Sequence, residues 1–219
     1  MLLGDSIDLI LSEGDRLLAV ARQDPHRQVP QYPGWTMSDL LSHTGSVMGR
    51  TTMIVRDRLQ ERPTSPKMED GGDALAWFQS SLGTVCDVLR ASSPDIPVWG
   101  FGPSPNVGFW VDRMLIEVGV HRWDAEQAYG RPLPLVDEVV IAGLDEFPDM
   151  WMPHLGEIAP IEVVATDMGR SWSYGHGDPI HTVAASGSDL YLRLMSRNSP
   201  AVFPDDWESA VDSLPPPPR

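Results

Sequence analysis

The apolar residues change period partway along the chain, and this change constrains the fold more than any other feature. Up to about residue 150 they recur at helical spacing; from Ile161 they alternate or run together as strand residues do. Ile7, Ile10, Leu11, Leu17, Leu18 and Val20 predict a first helix over 4–23, broken by Asp24-Pro25. A second is expected from Thr36 to about Leu59. Thr36 has the chemistry of an N-cap, Asp39 stands three positions on as in a capping box, and Trp35 is placed to staple onto Leu40. A third helix reads from about Gly72 to Arg90 and a fourth from Phe109 to about Tyr129, where Gly130-Arg131-Pro132 ends it. The stretch 61–72 is rich in Pro, Gly and charge and reads as a loop, and Ala91–Pro105 is irregular. Four helices with such connections predict a bundle, and a shorter helix follows over about Val136–Met150.

Three short segments then read as strands: Ile161–Ala165, Ser171–Tyr174 and His181–Ala185. Gly187-Ser188-Asp189 opens a helix over Leu190–Met195, a last helix covers Trp207–Leu214, and Pro215–Pro218 is a polyproline stretch. The expected class is α+β, with a helical bundle over 1–152 and a small α+β domain over 153–219.

The net charge of −15 argues against nucleic acid and anionic membrane surfaces as partners. A small anionic substrate stays open, because a local arginine or a metal can invert the field inside a pocket. No apolar run approaches the roughly 20 residues of a membrane span. The first residues carry no basic segment or cleavage site, so no secretory signal is expected. Cys86 is the single cysteine; it excludes an internal disulfide and suits a reducing cytoplasm. It lies among Leu82, Val85, Val88 and Leu89 and is expected to be buried and inert rather than a nucleophile. Gly100 and Gly102 do not make a phosphate loop, since no strand precedes them and no Lys-Ser/Thr follows.

Glu117 and His121 stand four apart and share a helix face. Such a pair alone is common on solvated faces. Here its neighbours are apolar, among them Trp110, Met114, Leu115, Ile116, Val118 and Val120, where a carboxylate and an imidazole are costly unless paired or ligated. His43, among Leu40, Leu41, Val47 and Met48, reads on its own as a core histidine. It becomes a third ligand if the two helices pack together. Three N/O ligands leave one position open, as in a catalytic zinc site. Trp123 and Asp124 are expected to be structural: Asp124 is near enough to support His121, but a helix-surface or loop contact is the expected role.

Three segments resemble the mycothiol-dependent maleylpyruvate isomerase family. They are Trp35-Thr36-x-x-Asp39-Leu40-Leu41-x-His43; Trp99-Gly100-Phe101-Gly102-Pro103 with Phe109-Trp110, Arg113-Met114 and Glu117-x-x-x-His121-Arg122-Trp123-Asp124-Ala125-Glu126; and Thr166-Asp167-x-Gly169-x-x-Trp172 with Gly187-x-x-Asp189-Leu190 and Arg197. The resemblance implies a DinB-like four-helix bundle followed by a sterol-carrier-protein-like α+β domain. It implies zinc, or another divalent metal, on His43, Glu117 and His121, and mycothiol or a similar thiol as cosubstrate. It also makes Arg197 a catalytic residue facing the active site; its place after Leu190–Met195 suits closing the pocket, and its alternative reading is a cation on a helix C-terminus. Ile116 departs from the pattern, standing where many members have His, and Gly119 costs about 1 kcal/mol relative to Ala in mid-helix.

The implied activity is a zinc-dependent enzyme that presents a thiolate to an electrophile. Expelling the thiol after rotation gives cis–trans isomerisation of a maleylpyruvate-like substrate; keeping it gives S-transfer. A non-catalytic metal-dependent binding protein and a metal-assisted hydrolase are the alternatives.

Overall fold

The computed structural model describes residues 3–101 and 105–214; Gly102, Pro103 and the polyproline Pro215–Pro218 lie outside the described residues. The helices begin where side chains supply the backbone's missing partners. Thr36 and Asp39 form a reciprocal capping box at the start of α2 (Met37–Arg56). Asp73 Oδ1 accepts from Leu75 and Ala76 at the start of α3 (Ala74–Arg90), and Asn106 Oδ1 accepts from Phe109 at the start of α4 (Val107–Gln127). With α1 (Leu3–Ala21), these are the four helices expected from periodicity.

Side-chain pairs give their directions. Arg122 on α4 meets Glu13 on α1, and Glu126 meets Arg16, so α1 and α4 run parallel. Arg22 meets Gln79 and Arg90 meets Asp8, so α3 runs against α1. At the far end of α2, Leu59 O accepts from Trp99 N, and Trp99 O accepts from Trp110 Nε1. The end of α2 thus lies beside the start of α4, and these two helices are antiparallel. Trp77, near the start of α3, donates to Ser42 O near the start of α2, so α2 and α3 are parallel neighbours. Parallel neighbours need a long connection. Residues 57–73 provide it, which is why that stretch reads as a Pro- and Gly-rich loop. The crossover is pinned to α2 at Gly49, where an added Cβ would come 2.5 Å from Pro66.

By compactness the chain divides into Met1–Leu133 and Pro134–Pro218. The division precedes α5 (Asp137–Met150), whereas periodicity alone had suggested a change of module at 152/153. Packing gives the reason. Phe147 of α5 lies 5.3 Å from the Tyr174 ring and 6.5 Å from Trp207, and Tyr174 donates its hydroxyl to Leu144 O. Gly143 lets α5 approach Tyr191, since an added Cβ would fall 2.2 Å from its ring.

In the second unit β1 (Ile161–Ala165) is central. It pairs antiparallel with β2 (Arg170–Tyr174), with Ile161 opposite Tyr174, and parallel with β3 (His181–Ala185), with Ile161 opposite His181. Ile161, Val163 and Ala165 face the core, and α6 (Gly187–Leu194) and α7 (Asp205–Asp212) follow the strands. This is the expected α+β class. No helix among the described residues is long and apolar enough to cross a membrane.

Candidate metal centre

Antiparallel packing of α2 on α4 brings His43 to the Glu117–His121 face. His43 Nε2 lies 3.4 Å and His121 Nε2 3.3 Å from Glu117 Oε1, and the three ligand atoms all fall within 4.8 Å of one another. Two ligands bound tetrahedrally to zinc at its usual bond lengths lie roughly 3.3–3.4 Å apart, the spacing of each histidine from Glu117 here.

Glu117 Oε1 is buried and has no hydrogen-bond partner. Burial works against ionisation of this carboxyl, but the neighbouring imidazoles of His121 and His43 outweigh it and hold the group well below the usual carboxylate range. The short approach of the two rings does this first and their charge second, while neither contact is a well-aligned hydrogen bond to Oε1. An ionised, buried oxygen without a donor is what a cation would satisfy. The donor set of two imidazoles and a carboxylate therefore fits a divalent ion such as zinc.

His121 Nδ1 lies 3.0 Å from Asp124 Oδ2, and Asp124 is fully buried. An ionised carboxylate only accepts, so Nδ1 carries a hydrogen and Nε2 is the nitrogen turned to the cluster. Burial disfavours a charged His121, yet Asp124 and Glu117 overcome it and raise its pKa to about 9. In place of the expected surface or loop contact, Asp124 makes a buried contact with His121, a candidate ligand. The signal was in the sequence, since i,i+3 residues share a face; what it lacked was the burial. The cluster is walled by aromatic rings: Trp35 lies 5.2 Å from the His43 ring and Tyr32 lies 5.9 Å from the His121 ring. Trp35, expected as a helix staple, thus packs on a candidate ligand. Ile116 is buried, and Gly119 leaves α4 unbroken.

Arg113, one turn before Glu117, brings Nη2 to 3.7 Å from Glu117 Oε2. On the same helix Arg122 serves a different purpose. It is fully buried and gives Nε to Glu13 and Nη1 to Glu126 and to Leu133 O. Arg197 belongs to the second unit. It follows Ser196, which has φ 59°, is 7% exposed, and donates from Nη1 to Met195 O.

Residues 8–126, more than half of the chain, match the family described as the mycothiol maleylpyruvate isomerase N-terminal domain. No curated protein sequence matches. In fold the chain is similar to the crystal structure of the mycothiol-dependent maleylpyruvate isomerase, with 13% identity, a TM-score of 0.69, and coverage of 100% of this chain and 97% of that one. A histidine-to-alanine variant of that enzyme gives a TM-score of 0.71 at the same identity and coverage. At this identity the likeness establishes the fold, and membership rests on the match over residues 8–126: the chain belongs to the mycothiol maleylpyruvate isomerase family.

Proposed function

We propose that this protein is a metal-dependent enzyme that uses mycothiol, or a similar low-molecular-weight thiol, to isomerise a maleylpyruvate-like substrate, with His43, Glu117 and His121 holding zinc or another divalent cation. The observation that carries the reading is the convergence of His43 Nε2, Glu117 Oε1 and His121 Nε2 within 4.8 Å, with Oε1 buried and making no well-aligned hydrogen bond. A cation bound there supplies positive charge that favours the thiolate form of an adjacent thiol.

The chain's own residues prepare the place. Glu117 holds negative charge, Asp124 fixes the orientation and tautomer of His121, and Tyr32 and Trp35 keep the imidazoles packed. The protein's own thiol is no rival nucleophile: Cys86 is buried, and burial pushes its pKa up to about 12. The thiol therefore comes from solution. As thiolate it adds to the electrophilic carbon of the double bond, the adduct rotates about the bond that has become single, and expulsion of the thiolate restores the double bond in the other geometry. Arg197 is assigned one carboxylate of the substrate, on the strength of the resemblance and of its forked, permanently charged group. A single cysteine suits a cytoplasmic setting.

The test is metal content and turnover of the purified protein with mycothiol and maleylpyruvate. One zinc per chain is expected, lost in His121→Ala, with isomerisation that regenerates the thiol. Arg197→Lys should lower turnover and leave zinc unchanged. A triple alanine variant at His43, Glu117 and His121 that still binds one zinc with the same affinity would place the metal elsewhere. Thiol retained in the product would mean S-transfer, turnover without thiol a hydrolase, and bound zinc without any turnover a binding protein.

A further inference from the structure

The bundle unit carries a second, positively charged feature on the same helices as the metal ligands. Arg50 is two turns beyond His43 on α2, and Arg113 is one turn before Glu117 on α4. Because these helices run antiparallel, both steps lead toward the same end of the bundle. The crossover adds Arg62, whose guanidinium lies 6.0 Å from the Trp99 ring, and Ser65, which accepts from Arg50 Nη1 at 3.2 Å. Three arginines are thus drawn to one end of a unit in a chain of net charge −15.

Arg50, half-buried on α2, differs from Arg122, the buried arginine of α4. Arg122 spends its donors on two carboxylates and a carbonyl. Arg50 has its Nε buried with no hydrogen-bond partner. Its field is shared: burial weakens its hold on the proton, Arg62 and Arg113 act in the same direction, and Glu117 alone opposes them. Arg113 stands 3.7 Å from Glu117, an ion pair too long for a hydrogen bond.

We infer that Arg50 and Arg113 form a carboxylate-binding site beside the His43–Glu117–His121 cluster, which holds one carboxylate of the substrate within the bundle unit. The inference rests on the proposed function, and it deepens it by placing the substrate's acid group. A guanidinium offers two parallel donors to a carboxylate, and Arg50 Nε is a buried donor that needs such an acceptor. Arg62, which is exposed, adds charge at the rim.

The test uses the full-length zinc-loaded protein and maleate, a dicarboxylate that carries no thiol, with binding followed by calorimetry. Arg50→Met and Arg113→Met are each expected to weaken maleate at least about tenfold, the range of a lost charged hydrogen bond, with zinc content and thermal unfolding unchanged. Arg50→Lys restores charge without the fork and recovers only part of the loss. Arg170→Met makes the same charge change in the second unit and should have no effect. Unchanged maleate binding in both methionine variants overturns the inference while leaving the metal reading intact. An equal loss in Arg170→Met overturns it too, since net charge would then account for the effect. If the wild type takes up no zinc, the metal reading fails, and the same comparison in metal-free protein still decides the arginine site.

Discussion

Asp124 decides which nitrogen of His121 faces the cluster. It sits at 3.0 Å from Nδ1 with no exposed surface, so an amide in its place could still accept from the ring but would lack the charge that supports it. Asp124→Asn should weaken zinc by about 10–100-fold, as loss of an outer partner of a ligating histidine does; a competition assay with a chromogenic chelator reads this, and an unchanged affinity would return Asp124 to a purely structural role. Cys86 shows the opposite influence of burial. Its thiol is pushed up to about 12, so the folded protein should resist iodoacetamide at pH 8 while the denatured chain is alkylated quickly. The sign for stability follows from the same shift: in the alkaline range below about 12 the unfolded chain loses this proton and the folded one keeps it, so this contribution falls as pH rises and is fully present near neutrality.

The helix α4 does two jobs with two faces. One turn-spaced row, Arg113, Glu117 and His121, faces the candidate metal and anion sites. Another row, Arg122 and Glu126, locks the helix to α1 through Glu13 and Arg16. Glu126 Oε2 also accepts from Leu133 N, so the network fixes the end of the unit as well. Arg122→Ala would leave Glu13 and Glu126 buried with reduced pairing, at a cost of about 3–5 kcal/mol. Urea unfolding should show this as a lower midpoint, while the fraction that stays folded keeps one zinc. A loss below about 1 kcal/mol would mean the network is not a lock. Its distance in sequence, 109 residues between Glu13 and Arg122, hid it from any reading of local pattern.

For the whole molecule, the division at Leu133/Pro134 puts all three candidate ligands in one unit. That unit has its own core, including Ile7, Leu17, Leu40, Phe78, Leu89 and Leu115, all with no exposed surface. Residues 1–133 expressed alone should therefore fold with strongly helical circular dichroism and take up one equivalent of zinc. A fragment that is unfolded at neutral pH even with zinc would show that the ligand-bearing unit is not self-sufficient.

The helix and strand pattern was written in the sequence because it is local. Period 3.6 and period 2 follow from backbone geometry, and the capping box at Thr36 and Asp39 and the i,i+4 pair of Glu117 and His121 need only neighbouring residues. Even the strands Ile161–Ala165 and His181–Ala185 are legible from five residues each. Other features depend on which faces meet, which is settled by burying apolar surface across long sequence separations. The antiparallel contact of α2 with α4 turns His43 from a core histidine into a candidate ligand. Burial turns Asp124 from a surface group into the partner of His121, and leaves Arg50 Nε in need of an acceptor. The same cause assigns α5: its periodicity makes it a helix, but only the packing of Phe147 against Tyr174 and Trp207 places it in the second unit.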